Sequence, residues 1–344
     1  MRDNIELSII VPVYNVEKYI KKCLETILNQ MNSKVELIIV NDCSPDNSID
    51  VCYHMIENYS NAKIIQREKN GGLSAARNTG LCEARGKYVW FVDSDDYVEK
   101  NSIKRLLECI KLNQADIIQF NHYRFGDEAY QSSVKQGHII IDSSEKRLQY
   151  ICGYLSNAKD GGYEVWRRIY SLDMIREHHI LFQPNKEIFA EDICFNLEYF
   201  RYCNSVEVIE DSLYYYRVRK SSIMGSLESA KLHEMQLLAW RDYITLSDRN
   251  IKKRYDYIYA GIMQVRYNGV HINKLIEYCK SLNEKEFVIE MNNSIKKNAI
   301  KHIRYYGKKA SLLHFLYAQL ILSIINKKRI RVKVIDQIRN RIKM

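Results

Sequence analysis

From Leu7 onward, short β-branched apolar runs alternate with segments whose apolar positions recur every three or four residues. "LSIIVPV", "VELIIV" and "AKIIQ" read as strands, and "EKYIKKCLETILNQM" and "SIDVCYHMIENYS" between them read as amphipathic helices. "SAARNTGLCEA" then predicts a helix, "GKYVWFV" a strand, "NSIKRLLECIKLN" a helix and "ADIIQF" a further strand. Strands and helices in strict alternation define an α/β fold, a doubly wound layer with mostly parallel strands. Beyond Asn121 the rhythm loosens through "VWRRIYSLDMI", "IFAEDICFNLEYFRYC" and "SLYYYRVRKSSIM", which are expected to close over the first layer. From residue 228 the pattern is helical to the end. The expected division is therefore 1–227, in two halves that meet at residue 120, and 228–344.

Ligands of such sheets bind at the carboxyl ends of the strands, so the residues just after each strand carry the chemistry. They are "PVYN" after the first, "NDCSPDNS" after the second and "DSDD", within "VWFVDSDDYV", after the fourth. No G-x-G-x-x-G follows the first strand, which removes the dinucleotide fingerprint. Asp93, Asp95 and Asp96 repel one another unless a cation or hydrogen-bond donors sit among them. Strand alternation would aim Asp93 and Asp95 at one site. A hard divalent ion such as Mg²⁺ takes one or two such carboxylates and completes its shell with phosphate and water. The plainer reading is that these aspartates end the strand and cap a helix beginning near Asn101. Asp42 is either an acceptor for a nucleobase or a turn residue, and Tyr14 either a stacking ring or a half-buried aromatic. Glu191 and Asp192 stand before the helical run "ICFNLEYF", as a base or as carboxylates meeting free helix N–H groups.

Charge changes the picture at the far end. The formal net charge is +10, but residues 1–250 hold 31 basic against 36 acidic side chains and residues 251–344 hold 21 against 6. The apolar stretch 312–325 is too short to span a bilayer, which takes about 20 residues. Flanked by Lys308, Lys309, Lys327, Lys328, Arg329 and Arg331, it suits either a helix on an anionic membrane surface, through residues 308–344, or a core-packed terminal helix. Nucleic acid is not expected as a partner. The nine cysteines never fall in C-x-x-C spacing, and the N-terminus has no basic leader before a long apolar stretch, which points to a reducing cytoplasm. The nine histidines form no zinc motif.

"IIVPVYN", "IIVNDCSPDNS", "NGGLSAARNTGL" and "VWFVDSDDYV", in this order, resemble the nucleotide-diphospho-sugar glycosyltransferases of family two, with the GT-A fold. The resemblance covers residues 5–120 closely and continues more loosely through "WRRIY" and "AEDICFN" to about residue 224. It implies a nucleotide-binding half up to residue 120, an acceptor-side half to 227, and a basic helical region beyond. It implies that Pro12, Tyr14, Asn15 and Asp42 hold uridine or another base, with Arg77 near the base or diphosphate. Asp93 would contact ribose or metal, Asp95 would ligate Mg²⁺ or Mn²⁺, Asp96 and Glu191 would support them, and Asp192 would be the general base. Arg168, at the lysine of a "W-N-K-L-Y" pattern, and Arg217, Arg219 and Ser222, in a loop after the base, are diphosphate candidates.

The implied reaction is inverting transfer of a sugar, from a UDP-sugar by preference, to a hydroxyl of a saccharide acceptor. A lipid-linked acceptor, bacterial surface polysaccharide such as capsule, and a place on the inner face of the plasma membrane complete that expectation, with a homodimer left open. Cys43 departs from the pattern where glycine is frequent, Pro45 where threonine is and Lys100 where proline is; a residue other than glycine at 43 takes positive φ only at a cost. Two other readings stand beside it. A phosphatase of the haloacid dehalogenase type would carry its D-x-D after the first strand, not the fourth. A nucleotide-binding or membrane adaptor without catalysis is opposed by the intact Asp95 and Asp192.

Overall fold

The computed structural model describes residues 5–126, 130–132, 135–143, 146, 150, 154, 162–185 and 191–218. The chain divides after Glu228, and the described residues all belong to the first unit. The expected basic region 228–344, with Arg219 and Ser222 ahead of it, lies outside them.

The elements follow the hydrophobic pattern. They are β1 (Leu7–Val13), α1 (Glu17–Leu28), β2 (Val35–Asn41), α2 (Ser48–Ile56), β3 (Ala62–Gln66), α3 (Leu73–Glu83), β4 (Tyr88–Phe91) and β5 (Tyr97–Val98). After them come α4 (Ser102–Asn113), β6 (Ile117–Gly126), β7 (Tyr130–Gln131), β8 (Gly137–Ile140), a 3-10 turn (Val165–Arg167), β9 (Arg168–Ser171), α5 (Leu172–Glu177), α6 (Glu191–Phe200) and β10 (Ser205–Val218).

The sheet runs β3-β2-β1-β4-β9-β6-β10-β5. Its first four strands are parallel, in the register Leu7 to Val35 and Leu7 to Tyr88. Every residue of β1 and β2 is buried, which is what strands covered on both faces require and why they read as continuous apolar runs. α1 buries Ile20, Cys23, Leu24, Ile27 and Leu28 as one stripe. Among the described residues no helix is long and apolar enough to cross a membrane, and Cys23, Cys43, Cys52, Cys82, Cys109, Cys194 and Cys203 are all free.

Two expectations are corrected. "RIYS" and "SVEVIEDSLYYYRV" do not close over the first layer: β9 is inserted antiparallel between β4 and β6, and β10 runs parallel to β6 and extends the same sheet. Burial explains it, since Arg168, Ile169 and Tyr170 are all fully covered and so behave as interior strand rather than lid. Nor does the strand carry Asp93 and Asp95 by alternation. It stops at Phe91, and a turn closed by the Asp96 amide donating to the Asp93 carbonyl (3.1 Å) presents them instead.

α3 lies hard against β1. A Cβ added to Gly80 would sit 2.4 Å from Cγ2 of Ile10, so glycine is what permits that depth.

Candidate active site

The ends of β1 and β2 form the first wall. Tyr14 is 50% exposed and offers a ring face, whereas Pro12 is buried inside β1 opposite Val40 and shapes the strand rather than presenting an edge. Asn15, at φ 54°, donates its amide to Ser44 Oγ (2.8 Å). Asp42 is buried. One oxygen accepts from the Arg67 guanidinium and from the Gly71 amide (3.0 Å), and the other accepts from the Gly72 amide (2.8 Å). A carboxylate has about four lone-pair sites, so Oδ2 keeps one for a ligand donor. Cys43 takes positive φ, 59°, and so bears the cost expected of a residue other than glycine there; its Sγ donates to the Arg67 carbonyl (3.2 Å), which partly offsets the strain. Asp46 was not singled out by sequence. It accepts from the hydroxyls of Ser44 (2.6 Å) and Ser48 and from the Glu17 amide (2.9 Å), tying this loop to α1.

The carboxylate turn after β4 divides its charges. Asp96 turns inward, accepting from Tyr214 Oη (2.9 Å) and from the Arg217 amide (2.7 Å). Burial, reinforced by Asp95 and Asp93, pushes its pKa well up despite those two donors. Tyr214 Oη also accepts from the Asp93 amide (3.0 Å), so one phenol pins both ends of the turn. The Asp93 and Asp95 side chains remain partly exposed.

Arg77 is the centre of the site. Only 1% of it is exposed, and it donates to Asp93 Oδ1 (2.9 Å), Glu191 Oε1 (3.1 Å) and Asp192 Oδ1 (2.6 Å). Residues 77, 93 and 191–192 thus converge from α3, the β4 turn and the start of α6. Its burial sets Arg77 apart from the surface ion pairs that helical arginines commonly make. Three carboxylates facing one guanidinium are not all neutralised. Burial and Asp192 raise the pKa of Glu191 against the pull of Arg77, and burial and Asp93 raise that of Asp192 against the same pull. Asp192 also accepts from the Val165 amide (3.1 Å).

Of the other candidates, Arg217 is on β10 rather than in a loop. Its Nε donates to the Asp95 carbonyl (2.9 Å), and its guanidinium lies over the rings of Tyr19 and Phe125 (4.9 and 4.6 Å). Arg168 is fully buried, donates to the carbonyls of Glu164 (2.8 Å) and Gly162 (3.0 Å) and lies over Tyr154. Those contacts make it a brace for the 162–168 turn. Arg219 and Ser222 lie outside the described residues. Among the described residues no three His, Cys, Asp or Glu are grouped to hold a metal unaided. Asp93 and Asp95 fit a divalent ion that draws its remaining ligands from a diphosphate, because Asp96 is committed to Tyr214 and Arg217.

A strand-end aromatic and carboxylate, a D-x-D turn, and a buried arginine joining that turn to a carboxylate pair thus lie at the carboxyl ends of β1, β2 and β4, where sheets of this kind bind ligands. Residues 8–177 match the family model described as "Glycosyl transferase family 2". The Bacillus subtilis protein named "Uncharacterized glycosyltransferase EpsJ" is 35% identical over 63% of this chain and 62% of its own length. EpsH of the same organism is 32% identical over 72% of this chain and 70% of its own. The chain belongs to glycosyl transferase family 2. In fold it is similar to the crystal structure of Staphylococcus aureus TarS 1–349 in complex with UDP-GlcNAc, at a TM-score of 0.63 and 20% identity, covering 95% of this chain and 93% of that one.

Proposed function

We propose that this chain transfers a sugar, with inversion, from a UDP-sugar to a hydroxyl of a saccharide acceptor in bacterial surface polysaccharide assembly. The acceptor is lipid-linked, so the protein works at the cytoplasmic face of the membrane. The observation that carries the reading is the Arg77 hub, which brings Asp93, on the donor side, and Asp192, the base, to one guanidinium.

In this reading Tyr14 stacks on the base, and the remaining lone pair of Asp42 Oδ2 accepts its ring N–H. Asp93 and Asp95 would hold Mg²⁺ or Mn²⁺, which, when bound, neutralises the diphosphate. Asp192 takes the proton of the acceptor hydroxyl as that oxygen bonds to the anomeric carbon, while the bond from that carbon to the diphosphate oxygen breaks and the nucleoside diphosphate departs. A carboxylate with a raised pKa suits the task, because it binds the proton more firmly than an ordinary aspartate. Arg77 keeps that carboxylate oriented, and the turn at Val165 holds its second oxygen.

A thermal-shift panel of UDP, GDP, dTDP and CMP, with and without Mn²⁺, on wild type and Asp95→Ala tests it. Stabilisation by UDP alone, dependent on Mn²⁺ and absent in the variant, is expected. No response to any nucleotide would sink the donor-site assignment.

A further inference from the structure

A second polar group lies beside Asp192 and has no part in the steps above. Its centre is Trp166, stacked on Tyr214 (ring centroids 4.5 Å apart) and on Tyr216 (5.3 Å), with His122 set edge-on at 4.8 Å. Because Tyr214 also binds Asp93 and Asp96, one aromatic wall runs from the carboxylate turn to His122. Glu164 immediately precedes Val165, whose amide holds Asp192, so the turn that fixes the base also presents Glu164. Arg124 and Arg167 approach the Glu164 carboxylate at 3.9 Å each, beyond hydrogen-bond reach. Arg124 lies over the ring of Tyr216.

A buried histidine and one covered oxygen of the partly exposed Glu164 lack hydrogen-bond partners here. His122 is 3% exposed, yet neither ring nitrogen has a hydrogen-bond partner, and Glu164 Oε2 has none either. Folded proteins rarely leave such groups unpaired, since each costs stability, and each exception calls for a cause such as strain, a functional role or a partner that completes it. Burial, with Arg167 beside it, holds the pKa of His122 down to about 3, so its ring is neutral: one nitrogen donates and the other accepts. The matching partner for a neutral imidazole is a hydroxyl, which also does both. Glu164 accepts from a hydroxyl and Arg124 donates to one. An anionic substituent would face the Glu164 carboxylate.

We propose that His122, Glu164 and Arg124 form the subsite for the acceptor sugar and select it through a pair of neighbouring hydroxyls. The placement next to Asp192 is what an acceptor needs, because the hydroxyl that attacks must reach that base while the rest of its ring is held. The proposal rests on the transferase reading and deepens it.

The test uses the full chain, UDP-sugars and a panel of p-nitrophenyl glycosides of glucose, galactose, mannose, N-acetylglucosamine and N-acetylgalactosamine as acceptors. Hydrolysis of the donor by water is followed in parallel. For the glycoside that wild type uses best, Glu164→Gln and His122→Leu are expected to raise acceptor KM at least tenfold and to lower the ratio of transfer to donor hydrolysis by as much. His122→Leu, which replaces an unpaired polar ring by an apolar side chain, is expected to melt no lower than wild type. If His122 instead serves the fold through a bound water, that variant melts lower and the ratio is unmoved, which overturns the proposal. Wild type that hydrolyses donor but transfers to no glycoside also overturns it. Absence of any donor turnover by wild type would sink the transferase reading itself, and this subsite with it.

Discussion

Replacing Arg77 by methionine keeps most of its volume and removes the cation shared by Asp93, Glu191 and Asp192, which it holds at 2.9, 3.1 and 2.6 Å. Deleting one partner of a buried ion pair costs about 3–5 kcal/mol. The Asp93 and Asp192 side chains keep 23% and 21% of their exposure, so water recovers part of that and the lower end, about 3 kcal/mol, applies. At roughly 2–4 °C per kcal/mol for a unit of this size, the melting temperature falls by about 6–12 °C. The deficit also depends on pH. A carboxyl whose pKa is raised on folding stabilises most below its unfolded value and loses that contribution as pH climbs through the folded one. Glu191 and Asp192 are already raised, and without Arg77 they rise further. Scanning fluorimetry of both proteins at about pH 5 and about pH 8 should therefore show a gap that widens toward the higher pH. A gap that is constant with pH, or below about 1 kcal/mol, would show that Arg77 does not compensate charge there.

Asp192→Asn keeps the side-chain shape and removes the proposed proton acceptor; kcat is expected to fall about 10²–10⁴-fold with little change in donor KM, and a loss below tenfold would move the proton elsewhere. Cys43→Gly and Cys43→Ala both lose the thiol contact, but only glycine is at ease at φ 59°, so urea unfolding should place the glycine variant about 1 kcal/mol above the alanine one. Equal stabilities would show that the loop relaxes around the alanine. Tyr214→Phe removes the bonds to Asp96 and to the Asp93 amide, an expected loss of about 1–3 kcal/mol in chemical denaturation together with weaker metal-dependent nucleotide binding. Unchanged nucleotide affinity would detach the phenol from the carboxylate turn.

Local signals carried the first half of the fold. β1 to β4 and their helices follow one another with short connections, so apolar rhythm alone orders them, and "VWFVDSDDYV" betrays its site because carboxylates directly follow a buried strand. The second half resisted, because β9 enters between β4 and β6 and that order is set by contacts distant in sequence. Arg77 and Asp192 are 115 positions apart, and only the folded sheet makes them neighbours. Tyr214 was hidden in plain view within "YYY". Strand alternation sends it and Tyr216 toward Trp166 and sends Tyr215 to the opposite side, where its hydroxyl donates to Glu99 (2.6 Å). Period two within that run was the available clue. His122 and Glu164 carried no signal at all, since a lone histidine in a strand and a lone glutamate before a tryptophan are commonplace.

Gly80 stands three residues beyond Arg77 on α3, where the helix meets Ile10 of β1. Any side chain there must displace Ile10 or lift the helix, and lifting the helix draws the guanidinium back from the carboxylates it serves. The reach of the site's central cation is thus set by an atom that is missing some distance behind it. In a screen for inactive variants Gly80 would score alongside the acidic residues, and a survey confined to groups touching substrate would never find it.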